Sequence, residues 1–209
     1  MAAQPFERFP AVYPITDPKI SGLSHFEQYQ QLAKGGAKLI QLRDKTAASD
    51  EFFRSVVEVC RAANEQGILV IVNDRVDIAI AAGAPGVHLG QDDLPPEQAR
   101  RLLGEAAVIG YSTHSEEQAK AAASLPVDYI AIGPVFGTST KENPDQAVGL
   151  EGVSAAKEAV GTIPLVAIGG IDEGNFRSVL EAGADSVAVI SGILKDPSGI
   201  ESAMRRFLV

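Results

Sequence analysis

Two kinds of segment alternate along the chain. The first is a short, nearly unbroken apolar and β-branched run: AVYPIT (11–16), AKLIQLR (37–43), ILVIVN (68–73), GVHLG (86–90), AVIGYS (107–112), DYIAIGPVF (128–136), PLVAIGG (164–170) and SVAVISG (186–192). Runs that are apolar on both faces predict parallel strands covered on both sides. The second kind is longer and either amphipathic or rich in alanine: residues 25–36, 49–67, 95–105, 115–125, 150–161 and 172–184. These predict helices. Ser49, Ser115 and Asp172 precede acidic residues and are expected to cap the N-termini that follow. KGGAKLIQL, AAGAPGVHL and EAGADSVAV repeat one local arrangement, in which a helix ends on glycine and a strand begins a few residues later. Eight such βα units in one chain predict an α/β fold, a (β/α)8 TIM barrel with residues 1–209 as a single domain. An open doubly wound sheet is the competing architecture, but it would carry a G-x-G-x-x-G turn after its first strand, and none is present.

Charge narrows the partners. The formal net charge of −9 argues against nucleic acid or an anionic membrane, both of which select basic surfaces. A small anionic ligand would need a local cationic pocket or a metal ion. The one cysteine, Cys60, lies in a helical pattern and reads as a packing residue in a reducing compartment. The opening MAAQPFERFP has no apolar core of a signal peptide, so the expected location is the cytoplasm. Self-association into a homo-oligomer is left open.

Barrel chemistry sits at the C-terminal ends of the strands. There the second strand places Gln41, Arg43 and Lys45 at alternate positions, hence on one face. The third ends in Asn73 and Asp74, the fourth leads through Gln91 to Asp92 and Asp93, and the fifth ends in Ser112. The sixth opens into Thr138, Ser139, Thr140 and Lys141, while the last two end at Gly169, Gly170, Ser191 and Gly192. Glycines after the seventh and eighth strands suit a phosphate site, or only a tight turn. Asp74 and Asp93 would converge on Mg2+, which takes one or two carboxylates and fills its shell with water and phosphate oxygens. Equally, Asp93 would cap the next helix and Asp74 would pair with Arg75 or Arg43. His88 reads as a hydrogen-bonded core residue, His25 as an exposed residue at a helix start, and His114 as within reach of the pocket rim. No zinc motif is present.

QLRDK, NDRVDIA, GVHLGQDD, GYSTHS, DYIAIGPVFGTSTK, VAIGGI and AVISGI, in this order, resemble the thiamine-phosphate synthase family along essentially the whole chain. The resemblance implies a Mg2+-dependent transferase. It would join hydroxymethylpyrimidine diphosphate to a thiazole phosphate, plain or carboxylated, and release pyrophosphate by a dissociative displacement. It places Gln41, Leu42, Arg43, Asp44, Lys45, Asn73 and Lys141 on the pyrimidine diphosphate, and Asp74 and Asp93 on the metal. Ser112 would touch the pyrimidine or its leaving group. Thr138, Ser139, Thr140, Gly170, Ile190 and Ser191 would hold the thiazole phosphate. Arg43, Lys45, Ser112 and Lys141 would carry the chemistry. Two rivals remain: a thiazole tautomerase of the same superfamily, with His114 as its acid/base, and an idle barrel that only binds thiamine phosphate.

Overall fold

The structure is a computed structural model of the chain that describes residues 9–138 and 145–208. Eight parallel strands close on themselves in sequence order: β1 (Val12–Thr16), β2 (Leu39–Leu42), β3 (Leu69–Asn73), β4 (Gly86–Leu89), β5 (Val108–Thr113), β6 (Tyr129–Ile132), β7 (Leu165–Ile168) and β8 (Ser186–Val189). The seam is β1 against β8, with Val12 opposite Val187 and Tyr13 opposite Ala188. Closure leaves no strand edge open to another chain.

The expected helices form as α2 (His25–Lys34), α3 (Ser49–Gln66), α5 (Pro96–Leu103), α6 (Glu116–Ala122), α7 (Gly149–Val160) and α8 (Phe176–Glu181). Four more lie outside those six segments: α1 (Pro18–Ser21), α4 (Val76–Ala82), which is the crossover that eight βα units require between β3 and β4, α9 (Ser191–Leu194) and α10 (Ile200–Arg206). In α4 the run VDIAIAA has too little polar content to show a helical period, and its ends carry the signal instead: Asp77 sits in its first turn and Gly83 closes it at φ 66°. No helix among the described residues is long and apolar enough to cross a membrane.

Two expected caps are corrected. Ser49 lies inside α3, which Ala48 precedes without a side-chain cap, and the Ser49 hydroxyl instead accepts from the Arg75 guanidinium at 3.0 Å. Asp172 stands ahead of α8: its carboxylate accepts from Gly174 N at 2.8 Å, and Asn175 occupies the cap position. Ser115 caps α6 as expected, accepting from Gln118 N at 3.2 Å.

Strand parity divides the core into two shells. Tyr13, Ile15, Leu39, Ile71, Val108, Tyr129, Ala131, Val166 and Ala188 fill the barrel interior. Their neighbours of opposite parity, such as Leu42, Val72, Leu89 and Ile130, pack outward against the helices. Cys60 is half-buried beside this outer shell, and burial pushes its thiol up to about 11, which leaves it unreactive at neutral pH. At the N-terminal end of the barrel, Asp128 accepts from Ile109 N and Arg100, and Asp185 accepts from Leu165 N and Lys157. These two bridges tie neighbouring strands together at the face that barrels use for stability, leaving the opposite mouth for chemistry.

Candidate active site

The C-terminal mouth opens into a cavity of about 480 Å³. Its rim is polar, from the ends of β2 to β5, and its depth is apolar, from Ile15, Ala131, Val166, Ile168 and Ala188. Gln41, Arg43 and Lys45 all line it, as their shared parity requires. The side chains between them point elsewhere. Leu42 is buried in the outer shell. Asp44 folds back to accept from Thr46 N and Ala47 N, both at 2.8 Å, and so shapes the loop that carries Lys45. Burial pushes the Asp44 carboxyl up, but those N–H groups and the Thr46 hydroxyl outweigh it and hold the carboxyl below the usual range.

His25 is not exposed. It is 3% accessible, its Nδ1 lies 2.7 Å from Thr16 Oγ1, and its Nε2 faces Asp44 at 3.6 Å. A helix-start histidine is solvent-facing only if the first turn points outward, and here that turn packs on the end of β1. Burial lowers its pKa, against the pull of Asp44 and Asp17.

Arg43 is oriented by Asp17, which no motif of the sequence marks as a site residue. Asp17, the residue after β1, is 7% accessible and accepts from the Arg43 guanidinium at 2.5 Å. It also caps α1 through Lys19 N. The pair holds the cation over the mouth without removing its charge from the site, because most of the guanidinium's five donors stay available.

Asp74 and Asp93 converge. Both line the cavity, and the Asp74 carboxylate is close enough to raise the Asp93 carboxyl. Asp93 does not cap α5, whose cap position is Pro95; its Oδ2 accepts from Gly90 N at 2.7 Å. Asp74 pairs with neither Arg75 nor Arg43 but with the Lys45 ammonium. Arg75 is taken by Asp77 and Ser49. Asp74 also sits at φ 63°, the only left-handed non-glycine backbone among the described residues. Aspartate is among the few side chains that take this conformation readily, and its carboxylate lines the mouth. Burial raises the Asp93 carboxyl above the ordinary range, and the Asp74 carboxylate alongside adds to this, against the Gly90 N–H and Lys45. Two hard oxygen donors held close despite their repulsion fit a divalent cation. Among the described residues no cluster of three or more His, Cys, Asp or Glu stands ready to cage a metal unaided. The donor set therefore suits an ion that keeps water and takes substrate oxygens, as Mg2+ does.

Asn73 and Ser112 line the same cavity, as do Gln91, Asp92 and His114 on the rim. The His114 ring lies 2.7 Å from Gly133 O. His88, expected as a core residue, is one: its Nδ1 is 2.9 Å from Tyr129 Oη and its Nε2 is 2.8 Å from Ser112 Oγ. Burial lowers its pKa to about 4. Beneath it Tyr129 Oη is 2.9 Å from Tyr13 Oη, which accepts from Gln41 Nε2 at 3.0 Å. An unpaired polar group at such depth would cost about 1–3 kcal/mol, and each of these has a partner. The two tyrosines were invisible as site residues because each reads as one more apolar strand position.

On the far side of the mouth, Thr138, Gly169, Gly170, Ile190 and Ser191 line the cavity. A Cβ on Gly170 would lie 2.7 Å from Gly137 O, so close packing against the loop after β6 demands glycine there. Ser139, Thr140 and Lys141 lie outside the described residues.

A closed (β/α)8 barrel whose acidic and basic side chains gather at the C-terminal mouth has the architecture of a barrel enzyme. Residues 12–193 match the family model described as thiamine monophosphate synthase. The chain is 45% identical to the thiamine-phosphate synthase of Koribacter versatilis over 91% of its own length and 92% of that protein's. It is 41% identical to that of Syntrophomonas wolfei, covering 94% and 93% of the two chains. The solved thiamine phosphate pyrophosphorylase from Pyrococcus furiosus superposes with a TM-score of 0.84 at 33% identity, covering 95% of this chain and 94% of that one. The chain belongs to the thiamine monophosphate synthase family and is a transferase of thiamine biosynthesis.

Proposed function

We propose that the chain couples 4-amino-2-methyl-5-(diphosphooxymethyl)pyrimidine to 4-methyl-5-(2-phosphoethyl)thiazole, or its carboxylated form, giving thiamine phosphate and pyrophosphate. The observation that carries this reading is the meeting of Arg43, Lys45, Asp74 and Asp93 at one cavity mouth above an apolar chamber. Two cations beside two carboxylates suit a diphosphate that arrives with its own divalent ion.

The apolar depth of the cavity takes an aromatic ring. Gln41, Arg43 and Lys45, with Asn73, bind the diphosphate, and Asp17 keeps the Arg43 guanidinium turned to it. Asp74 and Asp93 would hold Mg2+, which when bound offsets charge on the diphosphate oxygens. The aminopyrimidine ring can carry positive charge on its exocyclic methylene, so the C–O bond breaks before the thiazole nitrogen attacks. Such a route needs charge stabilisation and alignment of the two rings more than a protein base. No residue pair at the mouth has to act as nucleophile and base. Thr138, Gly170, Ile190 and Ser191 position the thiazole phosphate, and the expected roles of Ser139, Thr140 and Lys141 belong to the same proposal.

The test mixes purified protein with both substrates and Mg2+ and follows thiamine phosphate. Product formation is expected, with His114→Ala retaining activity within a few-fold, because the His114 ring is held by a backbone carbonyl at the rim and no proton transfer is assigned to it. Isomerisation of a thiazole phosphate without coupling, lost in His114→Ala, would select the tautomerase. Binding of thiamine phosphate with no product from any substrate would select the idle barrel.

A further inference from the structure

Below the mouth, Gln41, Tyr13, Tyr129, His88 and Ser112 form one unbroken hydrogen-bonded chain across the barrel, from the end of β2 to the end of β5. The direction of each bond follows from counting protons. The Gln41 amide nitrogen can only donate, so Tyr13 Oη accepts from it. Tyr13 is 1% accessible, and among the described residues the one other polar group bonded to its hydroxyl is Tyr129 Oη. If Tyr129 also donated to Tyr13, the Tyr13 proton would be buried with no acceptor, which native structures avoid. Tyr13 therefore donates to Tyr129. Tyr129, fully buried and with one proton of its own, has His88 Nδ1 as its remaining partner and donates to it. By accepting that proton Nδ1 is left bare, and since an imidazole keeps at least one ring proton, that proton lies on Nε2.

We infer that this relay fixes His88 as the Nε2–H tautomer, with Ser112 Oγ accepting from it and turning its own hydroxyl proton into the cavity. Ser112 is thus a hydrogen-bond donor to whatever ligand atom faces it and is not a serine primed for attack. A nucleophilic serine would need the opposite tautomer, with a bare Nε2 ready to take its proton. Tyr13, Tyr129 and His88 are positioning residues: they act on a ligand only through Ser112. Under the proposed coupling reaction, which this last step presupposes, the Ser112 donor would meet a pyrimidine nitrogen or an oxygen of the departing diphosphate.

The tautomer is read by long-range proton–nitrogen NMR on the full chain carrying ¹⁵N-histidine at neutral pH. The chain has three histidines. The His88 signals are therefore those that persist when His25→Gln and His114→Gln are measured in turn. The inference predicts a protonated Nε2 and an unprotonated Nδ1 for His88 without any ligand. A protonated Nδ1 would overturn it, and would mean that the relay runs the other way. Tyr129→Phe removes the donor to Nδ1, so both tautomers should become populated and the two nitrogen shifts should move toward each other. An unchanged Nε2–H tautomer in that variant would show that the relay does not set it. This outcome is separable from the coupling reaction. A chain with the wrong tautomer that still makes thiamine phosphate would sink the relay alone, whereas the right tautomer without product would sink only the proposed reaction.

Discussion

Asp93→Asn is expected to lower Mg2+-dependent pyrophosphate release by at least about 100-fold, more than the 10–100-fold typical of losing an outer-shell partner of a metal site. Asparagine keeps an oxygen for Gly90 N but removes one of the two negative charges that would hold the ion. The same variant should be more stable than the parent when no metal is present. Burial first, and Asp74 next, raise the Asp93 carboxyl. Ionising it therefore costs more in the folded chain than in the unfolded one. That penalty is absent well below the unfolded carboxylate pKa of about 4, grows as pH rises through it, and levels off only above the raised folded value. Thermal unfolding should accordingly show a higher midpoint for Asp93→Asn at neutral pH, converging with the parent in acid. Calorimetry should show weakened Mg2+ binding. Full turnover in a variant with normal Mg2+ affinity would remove Asp93 from the metal site.

Lys45→Ala separates the two halves of the site. Its ammonium is the present partner of Asp74, so it competes with any cation for that carboxylate. Its removal should leave Mg2+ affinity unchanged or a few-fold tighter. The gain is small because the side chain is 55% exposed and solvent screens the contact. Turnover should nonetheless fall by about 10²–10³-fold, the usual cost of deleting one group aimed at developing charge. Weakened Mg2+ binding together with undiminished turnover would show that Lys45 serves the carboxylates and not the diphosphate.

What was legible in the chain followed local rules. Strand parity put Gln41, Arg43 and Lys45 on one face, and the end-of-strand rule brought Asp74, Asp93 and Ser112 to the same mouth. What was not legible depended on contacts between distant segments. Tyr13 and Tyr129 meet across 116 positions of sequence. Asp17 finds Arg43 from the neighbouring strand, although its own place at the end of β1 was a signal that could have been used. His25 is buried because the α2 turn packs down on Thr16, which no periodicity in α2 encodes. Asp44 has the right neighbours in sequence but the wrong parity, so its carboxylate folds the loop instead of facing the cavity. The glycine turns repeated before β2, β4 and β8 were readable for the opposite reason: each is marked by a positive φ at one residue, which the sequence shows as a glycine.

A mouth built for a metal-bearing diphosphate should bind the inorganic anion together with its ion. Isothermal titration of inorganic pyrophosphate into the full-length protein, with and without Mg2+, tests that most directly. Binding at one site that strengthens at least tenfold with Mg2+, and loses that gain in Asp93→Asn, is the predicted result. Pyrophosphate affinity indifferent to Mg2+, or no binding in its presence, would contradict it.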